Sequence, residues 1–235
     1  MNGVIVQSQD AVTVVGGGPV TRRDLALAMA RAPVVVAADS GADRALAAGV
    51  MPTAVIGDFD SISEGAKAAI APERLFRIAE QESTDFDKVL RSVDAPFVLA
   101  LGVTGAQVDH GLAVLNALVR HRGPPCLVIS AKDIIFHAPQ AVELTLKVGD
   151  RFSLFPMGPN MGTSQGLHWP IDGLQLAPDG KTSTSNKVSE AKVQLRFDRP
   201  GMLVIVPRAR IDAAISALVP KWHGRHRAPR GVHGE

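Results

Sequence analysis

The chain has 235 residues, 46 % of them hydrophobic and 20 % charged, enough for one to two domains of roughly 150 residues with a packed core and no wholesale disorder. No apolar run reaches the roughly 18 residues a membrane span needs, MNGVIVQSQD lacks the marks of a secretory signal, and Cys126 as the single cysteine excludes a disulfide framework or multi-cysteine metal site, so a cytoplasmic protein is expected. Of the net charge of +2, residues 221–235 carry +3 through Lys221, Arg225, Arg227 and Arg230 against Glu235; the remaining body, at −1, is no nucleic-acid surface, and the tail is read as a flexible solubilising end.

The first half alternates strand and helix. VTVV (12–15) is a β-branched run ended by Gly16, Gly17, Gly18 and Pro19, and TRRDLALAMAR (21–31) reads as a helix capped by Thr21. Strands follow at 34–38, 53–56, 75–78, 97–101 and 127–130, with helices at 42–48, 83–92 and 108–121 between them. VVVAA and FVLAL are apolar on both faces, as strands covered on both sides by helices must be. This order predicts an α/β domain over 1–138 with a mostly parallel, Rossmann-like sheet.

Beyond residue 138 the period changes. VELTLK (142–147), RFSLF (151–155) and KVQLRF (192–197) alternate, as half-exposed antiparallel strands do, with turn signals at Gly149-Asp150, Pro178-Asp179-Gly180 and Arg199-Pro200-Gly201. A buried strand at 202–206 and a helix at 209–218 close the pattern. An all-β domain, expected as a sandwich, is thus predicted over 139–220, followed by the 221–235 tail.

Two phosphate motifs fail on inspection. A dinucleotide fingerprint needs a glycine where Thr21 stands, so Gly16–Gly18 read as a tight turn; the Gly180-Lys181-Thr182 run lacks the earlier glycine and the strand–helix context of a P-loop. The acidic residues carry more. Asp39 ends the VVVAA strand, Asp58 and Asp60 follow the next strand, and Asp85 opens a helix. In an open α/β sheet the carboxyl ends of the strands form the ligand rim. Carboxylates gathered there repel unless a cation sits among them, and hard oxygen donors suit Mg²⁺ together with substrate phosphates. Read singly, each aspartate is also a good turn or helix-start residue. The loop GVTGAQVDH (102–110) follows a strand and leads into a helix, a place where backbone can approach an anion. In the second half, Trp169 offers a stacking face for a flat cationic ring, and Ser185 and Asn186 offer hydrogen bonds to a heteroaromatic edge.

Taken in order, ADSGAD (38–43), IGDFDS (56–61), STDFDKVL (83–90), GVTGAQVDH (102–110), GLHWP (166–170) and STSN (183–186) resemble the thiamin pyrophosphokinase family. The resemblance implies transfer of the diphosphoryl group of ATP to the thiamine hydroxyl, giving thiamine diphosphate and AMP. It also implies a Rossmann-like catalytic domain, a β-sandwich vitamin domain, Mg²⁺, and a homodimer with thiamine at the subunit interface. Carried onto this chain, it makes Asp39, Asp58, Asp60 and Asp85 the acidic catalytic group, with Asp58 and Asp60 on the metal. Gly41, Ser61, Thr84, Lys88, Thr104, Gly105, Gln107, Asp109 and His110 fall on the nucleotide side, and Trp169, Ser183, Ser185 and Asn186 on the thiamine side.

Two positions depart from the family pattern. Gln107 stands where the loop has an arginine, which removes a fixed positive charge and a forked phosphate contact. Lys88, a neighbouring arginine or a second Mg²⁺ are the candidate compensations. Ser40 replaces the first glycine of ADGGA, a change compatible with a negative φ. The departure at Gln107 keeps open a binding module without turnover; the other alternative is an α/β diphosphotransferase with a different acceptor.

Overall fold

A computed structural model of the chain describes residues 3–105, 107–222 and 224. The flexible tail expected from the sequence therefore lies almost wholly outside the described residues, as does Ala106 of the glycine loop.

The N-terminal half runs β1 (Val6–Gln7), β2 (Val12–Val15), α1 (Arg22–Met29), β3 (Val34–Ala38), α2 (Gly41–Ala47), β4 (Ala54–Gly57), α3 (Glu64–Ala69), β5 (Leu75–Arg77), α4 (Asp85–Ser92), β6 (Val93–Asp94), β7 (Val98–Leu101), α5 (Val108–Arg120) and β8 (Cys126–Ile129). β2, β3, β4, β5, β7 and β8 pair in parallel. Apart from the edge strand β5, their side chains are mostly buried on both faces, which is why the sequence shows continuous apolar runs there. α1 starts where Thr21 and Asp24 form a reciprocal capping box, and α4 where the Thr84 hydroxyl accepts from the Asp87 backbone N–H at 3.2 Å.

The second half runs β9 (Asp133–His137), β10 (Ala141–Thr145), β11 (Arg151–Pro156), β12 (Gly162–Gln165), β13 (Ser183–Lys187), β14 (Lys192–Phe197), β15 (Met202–Pro207) and α6 (Ile211–Leu218). The main sheet does not stop at residue 138. β9 pairs antiparallel with β8 on one side and β15 on the other, and the sheet continues through β11 to β13, giving ten strands in the order β13-β11-β15-β9-β8-β7-β2-β3-β4-β5. β10, β14 and β12 form a second, three-stranded antiparallel sheet. One apolar cluster joins Leu144 and Leu195 of that sheet with Phe152, Leu154 and Val204 of the large one, and also takes in Leu25 of α1 and Ile215 of α6. Arg31, buried at the end of α1, donates to both carboxylate oxygens of Asp212 on α6, so the last helix is fastened to the first.

β12 and β13 were not expected as strands. GTSQ and STSNK are poor in β-branched and aromatic residues, and they are strands because β14 and β11 offer them unpaired backbone edges. α3 also escaped the sequence reading, since EGAKAA has too few apolar residues to show a period.

Candidate functional site

Parallel pairing puts the carboxyl ends of β2, β3, β4 and β7 on one rim, and the loops that leave them close around a cavity of about 430 Å³. Asp39 leaves β3 with φ of +45°, in the left-handed region. It is 2 % exposed; one carboxylate oxygen accepts the Ser61 N–H at 3.0 Å, and Oδ1 has no hydrogen-bond partner among the described residues. Asp58 leaves the neighbouring β4. Its Oδ2 accepts from Lys88 Nζ at 2.9 Å and from Gln81 Nε2 at 3.2 Å, and its Oδ1 accepts the Asp60 N–H at 3.3 Å. Lys88 is one helical turn after Asp85 on α4 and donates to that carboxylate as well, at 3.0 Å. Only 1 % of Lys88 is exposed, so this ammonium is a buried bridge between Asp58 and Asp85. Two of its three N–H donors are thereby given to carboxylates.

The protonation balance follows from these contacts. Burial pushes the Asp39 carboxyl up to about 6; the Ser61 N–H opposes this, and the charges of Asp85 and Asp60 add to it. Burial also raises Asp85, against the pull of Lys88. The Lys88 hydrogen bond holds Asp58 below the ordinary carboxylate value. Burial works against the Lys88 charge, but its bonds to Asp58 and Asp85 outweigh that and raise it.

This group fits a hard divalent cation. Asp39, Asp58 and Asp60 each offer an oxygen within 4.8 Å of the others, and the unpartnered Oδ1 of Asp39 is a buried acceptor lacking a donor.

The other expected residues divide. Ser61, Thr84, Lys88, Gln107 and His110 line the cavity together with Asp39, Asp58 and Asp85. Thr104, Gly105, Asp109, Gly41 and Asp60 do not line it. Gly41 serves packing: a Cβ there would stand 1.9 Å from the Val15 carbonyl oxygen, so α2 can sit against the end of β2 only with glycine at this position. Ser40 has φ of −59°, as the serine substitution requires. Gly16 and Gly18, expected as a plain turn, are also cavity wall; a Cβ on either would come within 2.7 Å of the Gly102 carbonyl oxygen, so the two loops touch backbone to backbone. Gln81, outside every motif quoted above, and Ser83, within STDFDKVL but not expected in the site, complete the wall beside Thr84.

Trp169, Ser183, Ser185 and Asn186 form a separate cluster around β13, and none of them lines this cavity. Trp169 is 54 % exposed, its ring edge-on to His168 with centroids 4.5 Å apart. Asn186 does not present its amide outward as expected. It is 3 % exposed; its Oδ1 accepts the N–H of Trp169 at 3.2 Å and of Lys187 at 2.8 Å, and its Nδ2 donates to the Trp169 carbonyl at 2.7 Å. The amide is spent on holding the Trp169 backbone. Among the described residues, the non-glycine positions with positive φ are Asp39, Phe59 and Ser185, each inside one of the motifs singled out from the sequence. Backbone held in that region costs about 1–3 kcal/mol and concentrates at functional sites.

Comparison with known proteins bears on both clusters. Residues 25–128 match the thiamin pyrophosphokinase catalytic domain, and residues 137–202 match the thiamin pyrophosphokinase vitamin B1 binding domain. The chain is 28 % identical over 167 residues to Thiamine pyrophosphokinase 1 of Oryza sativa subsp. japonica, covering 63 % of each protein, so it spans under two thirds of that relative. It is 24 % identical over 208 residues to Thiamine pyrophosphokinase of Bacillus subtilis (strain 168), covering 83 % of this chain and 97 % of that one. The fold is shared with thiamin pyrophosphokinase from Candida albicans at a TM-score of 0.74 and 18 % identity, over 88 % of this chain and 93 % of the other. With Asp39, Asp58, Asp60 and Asp85 inside the first matched region and Trp169 and Asn186 inside the second, the chain belongs to the thiamin pyrophosphokinase family.

Proposed function

We propose that the chain is a thiamine diphosphokinase, transferring the diphosphoryl group of ATP to the hydroxyl of thiamine and releasing AMP. The observation that carries the reading is the meeting of Asp39, Asp58 and Asp85 in one cavity, the last two bridged by Lys88, in a chain of this family. Asp58 and Asp60, with Asp39 beside them, would hold Mg²⁺, which when bound neutralises charge on the triphosphate. Lys88 keeps Asp58 and Asp85 together at the end of β4. Gln107 and His110 line the loop side of the cavity, where the family pattern has a fixed cation at position 107. Transfers of this kind need positioning and charge neutralisation more than covalent help from the protein.

On this reading the parallel half is a Rossmann-like nucleotide unit, and the strands after residue 138 are a sandwich that carries thiamine against Trp169. The exposed ring of Trp169 and its absence from the acidic cavity support a homodimer in which a second copy completes the site. A cytoplasmic location accords with a lone cysteine that is buried and whose thiol burial pushes up. Among the described residues no helix is long and apolar enough to cross a membrane.

Incubation with ATP, Mg²⁺ and thiamine, followed by assay for AMP, tests the reading. Thiamine-dependent AMP supports it. Binding of both ligands without AMP would favour a binding module, and AMP that depends on another alcohol would favour a different diphosphotransferase.

A further inference from the structure

The wall formed by Gln81, Ser83 and Thr84 lies in an irregular stretch between β5 and α4. Residues 79–83 make no backbone–backbone hydrogen bonds among the described residues, so the shape of this stretch needs another cause. The Glu80 carboxylate supplies it. One oxygen accepts the backbone N–H groups of Glu82 at 2.8 Å and Ser83 at 3.1 Å; the other accepts the Ser83 hydroxyl and the Arg91 guanidinium. Arg91, on the second turn of α4, donates to the Ser83 hydroxyl as well, at 3.1 Å. The carboxylate thus closes a ring from loop to helix, and the residue inside that ring, Gln81, is the one that reaches Asp58.

An ion pair this open to solvent adds little to global stability. Its consequence is local. Without it, two backbone N–H groups lose their acceptor and Gln81 loses the fixed backbone from which its amide reaches Asp58.

We propose that Glu80, held by Arg91, is a positioning residue: it sets the 81–84 wall and acts on the reaction through Gln81. This rests on reading the cavity as the nucleotide site. The Ser83 hydroxyl and then Arg91 hold the Glu80 carboxyl down to about 2, so the staple is charged wherever the protein is folded and working.

Amide exchange and a mutant cycle test it. In Glu80→Ala the Glu82 and Ser83 amides exchange about tenfold faster or more, while Val89 and Leu90 inside α4 are unchanged. Thiamine-dependent kcat/KM falls about tenfold in Glu80→Ala and in Gln81→Ala, and the double variant is no worse than Gln81→Ala alone, as expected for one residue acting through another. Arg91→Ala, which leaves the carboxylate in place, shows the same pattern more weakly. Unchanged exchange at the two amides overturns the proposal, and so does a full additive loss in the double variant or an inert Gln81→Ala. The exchange measurement needs no turnover, so a wild-type protein that makes no AMP sinks the kinase reading while the staple is still judged by exchange.

Discussion

Gly57 and Asp39 face each other across neighbouring strand ends so closely that a Cβ on Gly57 would stand 2.9 Å from the Cβ of Asp39 and 3.2 Å from Oδ1 of Asp85. The missing side chain at Gly57 is what lets two carboxylates from different segments share one space. Gly57→Ala therefore pushes on Asp39 directly. The expected outcome is a loss of about 1–3 kcal/mol in stability, on the scale of overpacking, with turnover falling more than the stability change explains. Gly65→Ala is the control: its Cβ would meet only Ser63 Oγ at 3.8 Å, on an exposed helix face, and should stabilise by about 0.4–1 kcal/mol with turnover unchanged. Denaturant melts and initial rates of both variants check this pair.

Asp58 accepts from Lys88, Gln81 and the backbone of Asp60, so it links helix, loop and strand. Asp58→Asn keeps the shape and removes the charge. Turnover should fall by at least about a hundredfold, the scale of losing a major electrostatic stabiliser. A variant with near wild-type turnover would remove Asp58 from the mechanism.

Asn186 and Trp169 make a second linked pair. If the amide acts by holding the Trp169 backbone, Asn186→Ala and Trp169→Ala move the same constant. Each should raise the thiamine KM by about tenfold or more, the scale of losing one aromatic or polar contact, with kcat and the ATP KM little changed. A kcat loss in Asn186→Ala with the thiamine KM unmoved would contradict the link.

His121 and His137 set a pH dependence of stability. Burial lowers both from 6.5. The charge of Arg122 adds to the lowering at both, and the Nε2 of His137 accepts the Gly201 N–H at 2.9 Å, a bond that only the unprotonated nitrogen can make. A depressed folded value means the stabilisation is present above 6.5, where neither state is protonated, and is lost as pH falls and the unfolded chain takes up protons first. The melting temperature should thus drop as pH is lowered below 6.5, and the drop should be smaller in the His121→Gln, His137→Gln double variant. Equal slopes in the two proteins would show that other groups set the dependence.

What the sequence makes legible follows from period and order. VVVAA and FVLAL announce buried parallel strands, and once those are parallel, Asp39 and Asp58 must share a rim. Asp85 joins them because Lys88 on its own helix reaches Asp58. The residues that escaped are those whose role depends on what lies opposite. Glu80 and Gln81 sit in an irregular stretch with no period, and their partners become apparent only when α4 folds back over β4. Asn186 reads from sequence as a polar residue free to face a ligand, yet its amide is bonded to the backbone of Trp169. Gly16 and Gly18 read as a turn, while their function as wall is set by the Gly102 loop, which is remote in sequence.

The central claim is a two-phosphate transfer organised by converging carboxylates. Its most direct test is ATP labelled separately at the α, β and γ phosphorus, incubated with Mg²⁺, thiamine and the wild-type protein. The account predicts that the β and γ labels pass together to thiamine diphosphate while the α label stays on AMP, in equal amounts, and that Asp58→Asn slows both by at least about a hundredfold. Transfer of the γ label alone with release of ADP, or release of AMP at the same rate without thiamine, would contradict it.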